Sequence, residues 1–311
     1  MKIAFLLYPT SRVKVDEDST FWIMLELKKR GHFVAYFESQ QLMWREGKVQ
    51  AFLRNARLDP KKGFLPSPLT AVPAPLESMD VIFIRKEPPF DNEYLYALQL
   101  LSLLNEKVFV LNDPAGIAVC NEKLSILEFK KFIAETLVTD NADEAFRFAR
   151  SLNKEIVVKP LNQKGGSGIY KTSARQKDFH SRVYASMLGG SQKVMVQRYL
   201  TENKKGDKRI LVLNGEILGS FLRRPAGNDF RANLGLGGTM HASGVTPRER
   251  KLVDEMAPWF LRHGLYFVGL DVIGGYLSEI NITSPSGIPE IRQLGGKRLE
   301  KDVADFIEQR R

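Results

Sequence analysis

The sequence has 311 residues, 43% of them apolar, and a formal net charge of +10. A chain of this size can bury a substantial core in one large domain or in two or three small ones. Its single cysteine, Cys120, excludes an internal disulfide framework and favours a reducing compartment. No apolar run is long enough for a secretory signal or for a membrane span of roughly 18 residues. We therefore expect a soluble, cytoplasmic protein without a membrane partner.

The positive charge has two explanations, which are nucleic-acid binding and a pocket for a polyanion such as ATP. The densest basic cluster, residues 204–209, is short and contains Asp207. No recognition-helix, zinc-finger or RNP pattern accompanies this cluster. We therefore favour the polyanion pocket and expect no nucleic-acid partner.

The first 119 residues have the pattern of an α/β domain. The predicted elements are strands 2–8, 33–37, 81–84 and 108–111 and helices 19–30 and 93–104. The β-α-β order at the start predicts a parallel sheet covered by helices. The proline-rich residues 59–78 are expected to be irregular.

From residue 120 onwards the pattern changes to α+β on an antiparallel sheet. The predicted elements are helices 122–132, 247–263 and 299–309 and strands 155–159, 194–198, 209–213 and 216–222, with two more strands before the last helix. The dipeptide Asn214-Gly215 between two strands is a strong hairpin signal.

The two strands before the last helix carry polar residues in an otherwise apolar pattern. Glu279 and Asn281 share one face of their strand, because side chains alternate along a strand. Asp271 is the one acid in the preceding strand. A three-residue turn would place Asp271 directly opposite Glu279, whereas a two-residue turn would pair Asp271 with Ser278 and separate the two carboxylates. We expect the three-residue turn.

In the three-residue register, Asp271, Glu279 and Asn281 form a set of hard oxygen ligands that suits Mg²⁺ bridging phosphates. The alternative is an exposed hairpin face with its polar residues in water. Two acids directly opposite each other cost energy unless a cation is present, and this favours the metal site.

Two further segments suit an anionic nucleotide. Lys159 ends an apolar strand and is followed by the glycine-rich residues 165–168, whose backbone amides could hold phosphate oxygens. The Walker pattern is absent. Residues 196–200 with Asp207 could surround adenine and ribose, although an edge strand and an exposed loop explain them equally well.

The loop 223–239 carries three arginines among small residues. Such a composition suits a mobile lid that closes on anions. The alternative is a disordered basic loop.

Several blocks of this sequence together resemble the prokaryotic glutathione synthetase family of the ATP-grasp superfamily. The blocks are residues 85–91, 121–123, 135–139, 159–161, 206–209 and 268–285. The resemblance implies an ATP-grasp fold, with an N-terminal Rossmann-like (pre-ATP-grasp) domain over 1–119 and the ATP-grasp domain over 120–311. The latter would comprise a central lid subdomain (120–193) and a C-terminal subdomain (194–311). The resemblance also implies a homo-oligomer, either a dimer or a tetramer.

The resemblance assigns roles to the matching positions. ATP would contact Lys123, Lys159, Gly165, Gly166, Ser167, Gln197, Arg198, Tyr199, Leu200 and Asp207. Two Mg²⁺ ions, or Mn²⁺ as a substitute, would be held by Asp271, Glu279 and Asn281. The reacting groups would be steadied by Arg209, Arg223, Arg231 and Asn233. The peptide substrate would be placed by Arg85, Lys86, Ser284, Pro285, Ser286 and Gly287.

The implied reaction joins γ-glutamylcysteine to glycine with cleavage of ATP to ADP and phosphate, through an acyl phosphate. This chemistry needs no side-chain nucleophile, because positioning and charge neutralisation supply the catalysis. One alternative is an ATP-grasp ligase for a different acid and amine. Another is a non-catalytic nucleotide-binding regulatory protein.

The chain departs from the family pattern at several positions. Asn162 and Gln163 stand where the family usually has aspartate and glycine, and Ala232 replaces a glycine in the loop 223–239. Pro289 stands where an arginine is usual, and Glu87 where an aspartate is usual. The ATP and metal positions match the family, while several positions on the substrate side differ.

Overall fold

The computed structural model describes residues 1–104, 108–163, 165–227 and 229–310. The front part of the chain alternates strands and helices. In chain order it contains β1 (Lys2–Leu7), α1 (Ser19–Lys29), β2 (Phe33–Glu38), β3 (Leu42–Arg45), β4 (Lys48–Ala51), β5 (Arg54–Asn55), β6 (Leu58–Asp59), β7 (Gly63–Phe64), β8 (Ala74–Pro75), β9 (Val81–Ile84), α2 (Asn92–Leu101), β10 (Phe109–Leu111) and α3 (Pro114–Val119).

The remainder is richer in antiparallel strands. It begins with a 3₁₀ segment, Leu124–Phe132. It continues with β11 (Thr136–Thr139), α4 (Ala142–Leu152), β12 (Ile156–Pro160), β13 (Tyr170–Thr172), α5 (Phe179–Ser186), β14 (Val194–Arg198), β15 (Asp207–Leu213), β16 (Glu216–Arg224), β17 (Thr239–Ala242), α6 (Pro247–Arg262), β18 (Phe267–Ile273), β19 (Tyr276–Asn281), α7 (Ile288–Gln293) and α8 (Leu299–Glu308).

The main front sheet has the order β10-β9-β1-β2-β5, and its first four strands run parallel. The predicted parallel α/β arrangement of the front part is therefore confirmed. The segment 59–78, expected to be irregular, contributes the short strands β7 and β8 and a 3₁₀ turn, Leu76–Ser78. These pieces were missed because two-residue strands carry no measurable alternation of apolar and polar residues.

The rear of the chain forms two antiparallel sheets. The central sheet has the order β11-β14-β12-β13 and the C-terminal sheet the order β17-β16-β15-β18-β19. Strand β14 is hydrogen-bonded within the central sheet, although the division at residue 193 assigns it to the C-terminal subdomain. A division after β14 agrees better with the strand pairing.

One local prediction in this region needs correction, and three helices were missed. The expected α-helix over 122–132 is a 3₁₀ segment interrupted at Phe129, whose φ of −111° and ψ of 51° are not helical. Helices α4, α5 and α7 were not predicted. Helix α6 follows its sequence signals, because Thr246 and Glu249 form a capping box and Pro247 occupies the first turn.

The front part and the C-terminal sheet share one hydrophobic core. The largest cluster of buried apolar side chains includes Ile82 and Leu98 from the front together with Leu270 and Ile280 from the rear. The central sheet has a cluster of its own, built from residues between 145 and 196. The central sheet is therefore packed as a separate unit over a continuous base.

Asn112 connects the front part to the C-terminal sheet by hydrogen bonds. Its side-chain amide donates to the carbonyl oxygens of Phe267 and Ile282 at 2.8 and 2.9 Å, and its carbonyl accepts from the Phe267 amide at 2.8 Å. The residue is 2% exposed, so water cannot replace these partners. The side chain fixes the end of β19 against the front sheet.

We expect Asn112→Ala to lower the free energy of unfolding by about 3 kcal/mol, because three buried backbone groups lose their partner. Urea denaturation measures this change. The matched control is Asn55→Ala, an exposed position where we expect a change within about 0.5 kcal/mol. Similar losses in the two variants would contradict the role assigned to Asn112.

Candidate active site

Two adjoining cavities lie where the three main sheets meet. The inner cavity, with about 720 Å³ of empty space, lies between the central and C-terminal sheets. The outer cavity, with about 1590 Å³, lies between the C-terminal sheet and the front part of the chain. Asn233, Asp271 and Glu279 line both cavities. The two cavities therefore adjoin at these three residues.

The hairpin β18–β19 forms the shared wall, and its turn differs from the expected one. Ile273 pairs with Tyr276, so the turn consists of the two residues Gly274-Gly275 and the predicted three-residue turn is wrong. A β-bulge then shifts the register, and Asp271 nevertheless pairs with Glu279. The extra residue is Ser278. The bulge supplies the offset that we had assigned to the turn, and it keeps the two carboxylates opposite each other.

Asp271 is held by two arginines from neighbouring strands. Arg209 donates to both of its carboxylate oxygens at 2.6 and 3.2 Å, and Arg223 approaches within 2.9 Å. Arg223 also donates to Asp207 at 2.6 Å. Burial alone would raise the pKa of Asp271, but the two guanidinium groups hold this pKa well below its usual range. The two arginines therefore favour the ionised form of Asp271.

At Asp207 the effect of burial outweighs that of the neighbouring arginines. Burial therefore raises the pKa of Asp207 above its usual range. Its Oδ1 atom is buried without a hydrogen-bond partner. Asp207 is also a lining residue of the inner cavity, and its Oδ1 atom is an acceptor without a partner in the protein. A sugar hydroxyl could donate to it.

The other two predicted metal ligands are also accessible from the outer cavity. Glu279 forms an ion pair with Lys123 at 3.1 Å, and the Asn281 amide nitrogen donates to the Gly269 carbonyl at 3.3 Å. This leaves the Asn281 amide oxygen for a cation. In the described part of the chain no three His, Cys, Asp or Glu side chains converge on one point. The set of two carboxylates and one amide oxygen fits a divalent cation that takes its remaining ligands from phosphates or water.

Lys159 enters the inner cavity from β12 and is nine-tenths buried. Its ammonium group donates to Gln197 Oε1 and to Ser278 Oγ, both at 2.9 Å. The hydroxyl of Ser278 is in reach because the bulge displaces this residue. Burial lowers the pKa of Lys159 to about 8. A polyanion in the inner cavity would stabilise the charged form of Lys159.

The glycine-rich residues 165–168 meet the loop 223–239 above the inner cavity. Arg231 donates to the Gly166 carbonyl at 3.1 Å. A Cβ atom at Gly166, where φ is +79°, would lie 3.0 Å from Asn233 Oδ1 and 3.2 Å from Arg231 Cδ. Glycine is therefore required here both for the backbone angle and for the close approach. The two loops together cover the cavity.

Apolar and aromatic side chains form the rest of the inner cavity. Val157, Leu200 and Ile273 are lining residues, and Tyr199 packs edge-on against Phe230 with ring centroids 6.1 Å apart. An apolar slot with basic and acidic groups at one end suits a nucleotide with a planar base and a charged phosphate chain.

Comparison with known proteins identifies the family. The model of the N-terminal domain of prokaryotic glutathione synthetase matches residues 1–118, and the model of its ATP-grasp domain matches residues 122–296. The chain belongs to the prokaryotic glutathione synthetase family. It is an ATP-dependent ligase with an ATP-grasp fold, and it uses ATP and a divalent metal ion.

Full-length relatives agree with this family assignment. The glutathione synthetase of Thermosynechococcus vestitus is 39% identical over 317 residues and covers 99% of both chains. That of Synechococcus elongatus is 40% identical and covers 99% of this chain and 98% of its own. The glutathione synthetase of Rhodopseudomonas palustris is 34% identical over 311 residues, and the match covers 100% of this chain and 99% of the relative.

Solved structures of low sequence identity share the fold. D-alanyl-alanine synthetase A from Vibrio cholerae has a TM-score of 0.65 at 16% identity and covers 99% of this chain and 98% of its own. The macrocyclase MdnC from Microcystis aeruginosa, bound with a precursor peptide, has a TM-score of 0.69 at 13% identity. The match covers 99% of this chain and 100% of the MdnC chain. None of the helices in the described part of this chain has the length and apolar character of a membrane span.

The structure brings most of the predicted site residues of this family member to the two cavities. The inner cavity is lined by Lys159, Gly166, Gln197, Arg198, Tyr199, Leu200, Asp207, Arg231, Asn233, Asp271 and Glu279. The outer cavity is lined by Arg85, Gly165, Arg209, Arg223, Asn233, Asp271, Glu279, Asn281, Ser284 and Ser286.

Five predicted residues line neither cavity. Lys123 lies behind Glu279, and Lys86 packs over the Tyr94 ring at 4.3 Å from its centroid. Ser167 is exposed. The Pro285 carbonyl accepts from Arg85, and the Gly287 amide donates to Ser19, so both act through their backbone.

Sequence reasoning missed residues that support this site. Ser278 contacts Lys159 only because of the bulge, and no sequence signal announces that bulge. Glu122 accepts from the Ile282 and Thr283 amides at 2.9 and 3.1 Å and so fixes the chain after β19. Glu122 lies in the matched block 121–123, and that position was the available signal. Glu290, in α7, lines the outer cavity and was also missed.

The lowered pKa of Lys159 predicts that nucleotide binding weakens above pH 8. The free protein loses the Lys159 proton as the pH rises through about 8, whereas bound phosphates would retain it, so binding takes up a proton. We expect the dissociation constant for Mg-ATP to rise about tenfold between pH 7 and pH 9. Titration calorimetry in two buffers of different ionisation enthalpy measures the number of protons taken up when Mg-ATP binds.

The variant Lys159→Arg should abolish this proton uptake, because arginine stays charged throughout the range. The exposed Lys154→Arg serves as the control and should retain it. Equal proton uptake by Lys159→Arg and the wild type would show that another group is responsible.

Proposed function

We propose that this ligase joins γ-glutamylcysteine to glycine and cleaves ATP to ADP and phosphate, which makes glutathione. The observation that carries the proposal is the shared wall of the two cavities, where Asp271 and Glu279 face a nucleotide-sized slot on one side and an arginine-rich chamber on the other. The full-length relatives, named glutathione synthetases, support the choice of substrates.

In the proposed reaction, an oxygen of the cysteine carboxylate attacks the γ-phosphorus of ATP, and the bond to the β-phosphate oxygen breaks to release ADP. The amine of glycine then attacks the acyl carbon, and phosphate leaves with the former carboxylate oxygen. The amine loses a proton as the amide forms. Arg209 and Arg223 stand on the outer side of the wall, where their charges would stabilise the carboxylate and the transferred phosphoryl group.

Each bound group has residues that fit it. Phosphates would contact Lys159 and the glycine-rich turn, and a ribose hydroxyl would donate to the unpartnered Oδ1 of Asp207. Asp271, Glu279 and Asn281 would hold the divalent metal, which neutralises charge on the phosphates. We propose two Mg²⁺ ions, replaceable by Mn²⁺, because three protein ligands with phosphate oxygens can serve two cations.

The wider organisation is also part of the proposal. We propose an N-terminal domain over 1–119 and an ATP-grasp domain over 120–311, with the central subdomain extended to the end of β14. The protein would be cytoplasmic and would act as a dimer or tetramer on small molecules, without a nucleic-acid partner. Gel filtration with light scattering tests the oligomeric state.

A second candidate is the ligation of a different acid and amine by the same chemistry. It is favoured by Pro289, which replaces a cation at the start of α7 beside the outer cavity. It is also favoured by Ala232, which is buried against the inner cavity in place of the usual glycine.

Substrate-dependent release of ADP separates these candidates. The purified protein is mixed with Mg-ATP and a panel of γ-glutamyl and other peptide acids, each with glycine, alanine or cysteine as the amine. We expect ADP release to require both substrates and kcat/KM to be highest for γ-glutamylcysteine with glycine. A higher kcat/KM for another pair would favour the second candidate, and no coupled release with any pair would contradict both.

A further inference from the structure

Glu290 lies in the first turn of α7, at the wall of the outer cavity. The position of this helix is fixed by the front part of the chain, because Ser19 Oγ accepts from the amides of Gly287 and Ile288, both at 3.1 Å. The Glu290 residue is 6% exposed, so more than nine-tenths of it is buried. An acidic side chain is thus held rigidly in a desolvated part of the cavity wall.

The Oε2 atom of Glu290 is buried and has no hydrogen-bond partner. Burial of an unmatched carboxylate is unfavourable, and burial accordingly raises the pKa of Glu290 above its usual range. Arg209 and Arg223 are close enough to act on this charge, but their guanidinium groups donate to Asp271 and Asp207. The fold therefore leaves one carboxylate oxygen of the wall unsatisfied.

The other acids of the outer cavity are engaged. Asp18 accepts from Tyr8 and from the Phe21 amide, Glu17 pairs with Lys14, and Glu122 accepts from Thr283. Asp271 and Glu279 have the arginine and lysine partners described above. Glu87, the remaining acid of the wall, also has an interaction partner. Glu290 thus differs from its neighbours in the described part of the wall by its buried, unpartnered oxygen.

Two donor atoms of arginines that line the same cavity are also unpartnered. Arg85 Nη1 and Arg223 Nε are buried without acceptors, and both residues line the outer cavity. A molecule with a carboxylate and an ammonium group, such as an amino acid or a peptide terminus, has the groups that these donors and the Glu290 acceptor lack. Two unpartnered donors and one unpartnered acceptor together suit a zwitterion better than a simple anion.

We propose that Glu290 binds the primary ammonium group of an amino-acid substrate in the outer cavity. This inference rests on the proposed function, which supplies two such groups: the α-ammonium of the γ-glutamyl residue and the ammonium of glycine. In either case Glu290 is a binding residue that selects an amino-acid substrate over its deaminated analogue.

The test compares the wild type with Glu290→Gln, which keeps the shape and removes the charge. Steady-state KM values are measured separately for γ-glutamylcysteine, glycine and ATP. We expect the KM of one amino substrate to rise about 10- to 100-fold, because a charge-assisted hydrogen bond is lost, while the KM of ATP stays within twofold. The conservative Glu290→Asp should restore part of the affinity.

The substrate whose KM rises identifies the source of the ammonium group. A rise confined to γ-glutamylcysteine assigns Glu290 to the γ-glutamyl head, and a rise confined to glycine assigns it to the acceptor. Glutarylcysteine, which lacks the α-ammonium group, provides a second test of whether Glu290 binds the γ-glutamyl head. The wild type should discriminate against it at least about tenfold, and Glu290→Gln should not.

The matched control is Glu300→Gln. Glu300 is 1% exposed and also has an unpartnered Oε2, but it pairs with Arg298 at 3.0 Å away from both cavities. We expect no change in any KM for this control. Glu290→Gln should melt no lower than the wild type, because it removes an unmatched buried charge.

Unchanged KM values for both amino substrates, with normal wild-type turnover, would overturn this inference and leave the proposed function intact. A fall in melting temperature with a uniform loss of kcat would also overturn it, because it would show a structural role. Absence of wild-type turnover with these substrates would instead contradict the proposed function, and the inference with it.

Discussion

The variant Asp271→Asn is expected to lose at least about 10³-fold in kcat and about 3 kcal/mol or more in the free energy of unfolding. The loss in kcat follows from removing a charged metal ligand, since metal-assisted charge neutralisation supplies several kcal/mol to such reactions. The loss in stability follows because Arg209 stays buried after losing its ion pair with Asp271, while of its two ion pairs Arg223 keeps only the one with Asp207. Steady-state kinetics and urea denaturation measure the two effects.

The exposed Asp254→Asn in α6 is the control, and we expect it to change neither quantity appreciably. If Asp271→Asn kept wild-type turnover, Asp271 would not be a metal ligand. If it kept wild-type stability, the two arginines would not depend on it for charge compensation.

The variant Glu279→Gln is expected to separate catalysis from stability. Its side chain is 22% exposed and pairs with the buried Lys123, which keeps a hydrogen bond to the Gln163 carbonyl. Loss of the charge should therefore lower the free energy of unfolding by about 1 to 2 kcal/mol, less than at Asp271. We expect kcat to fall by about 10²- to 10³-fold and the Mg²⁺ concentration for half-maximal activity to rise at least about tenfold. Magnesium titrations at saturating ATP measure this shift.

Glu128→Gln removes an exposed carboxylate from the 3₁₀ segment Leu124–Phe132 and serves as the control. It should leave the magnesium dependence unchanged. A Glu279→Gln variant with a normal magnesium dependence and reduced kcat would place Glu279 outside the metal site, despite its position opposite Asp271.

Local patterns of apolar and turn residues predicted the front sheet and one hairpin correctly. The parallel front sheet and the hairpin at Asn214-Gly215 follow from local patterns of apolar and turn residues. Helices α4 and α5 were missed although α4 has an Asn141 cap and acidic residues in its first turn, both recognisable signals. The Asn141 cap with Asp143 and Glu144 in the first turn is a sufficient local signal for α4.

The metal hairpin shows what alternation cannot predict. The turn at Gly274-Gly275 has the length that we expected to separate Asp271 from Glu279, yet the two residues pair. A bulge at Ser278 inserts one residue, and no local pattern distinguishes a bulged strand from a regular one. The expected pairing of Asp271 with Glu279 is present, while the three-residue turn that was expected to produce it is wrong.

The residues that line the cavities were harder to predict than the hairpin, because tertiary packing brings them together. Ser19 is far in sequence from Gly287 and Ile288, and packing of α7 against α1 brings the Ser19 hydroxyl to their amides. Lys86 was expected beside Arg85 in the substrate site, but adjacent residues on an extended segment point in opposite directions, and Lys86 faces Tyr94. Contacts of this kind become visible only when the elements are assembled.

The most direct test of the central claim follows the oxygen atoms of the peptide acid. γ-Glutamylcysteine labelled with ¹⁸O in its cysteine carboxylate is incubated with the protein, glycine and Mg-ATP, and the products are analysed by mass spectrometry. An acyl phosphate route predicts glutathione, ADP and one ¹⁸O atom in each phosphate released. Formation of AMP and pyrophosphate, or release of unlabelled phosphate alongside glutathione, would contradict it.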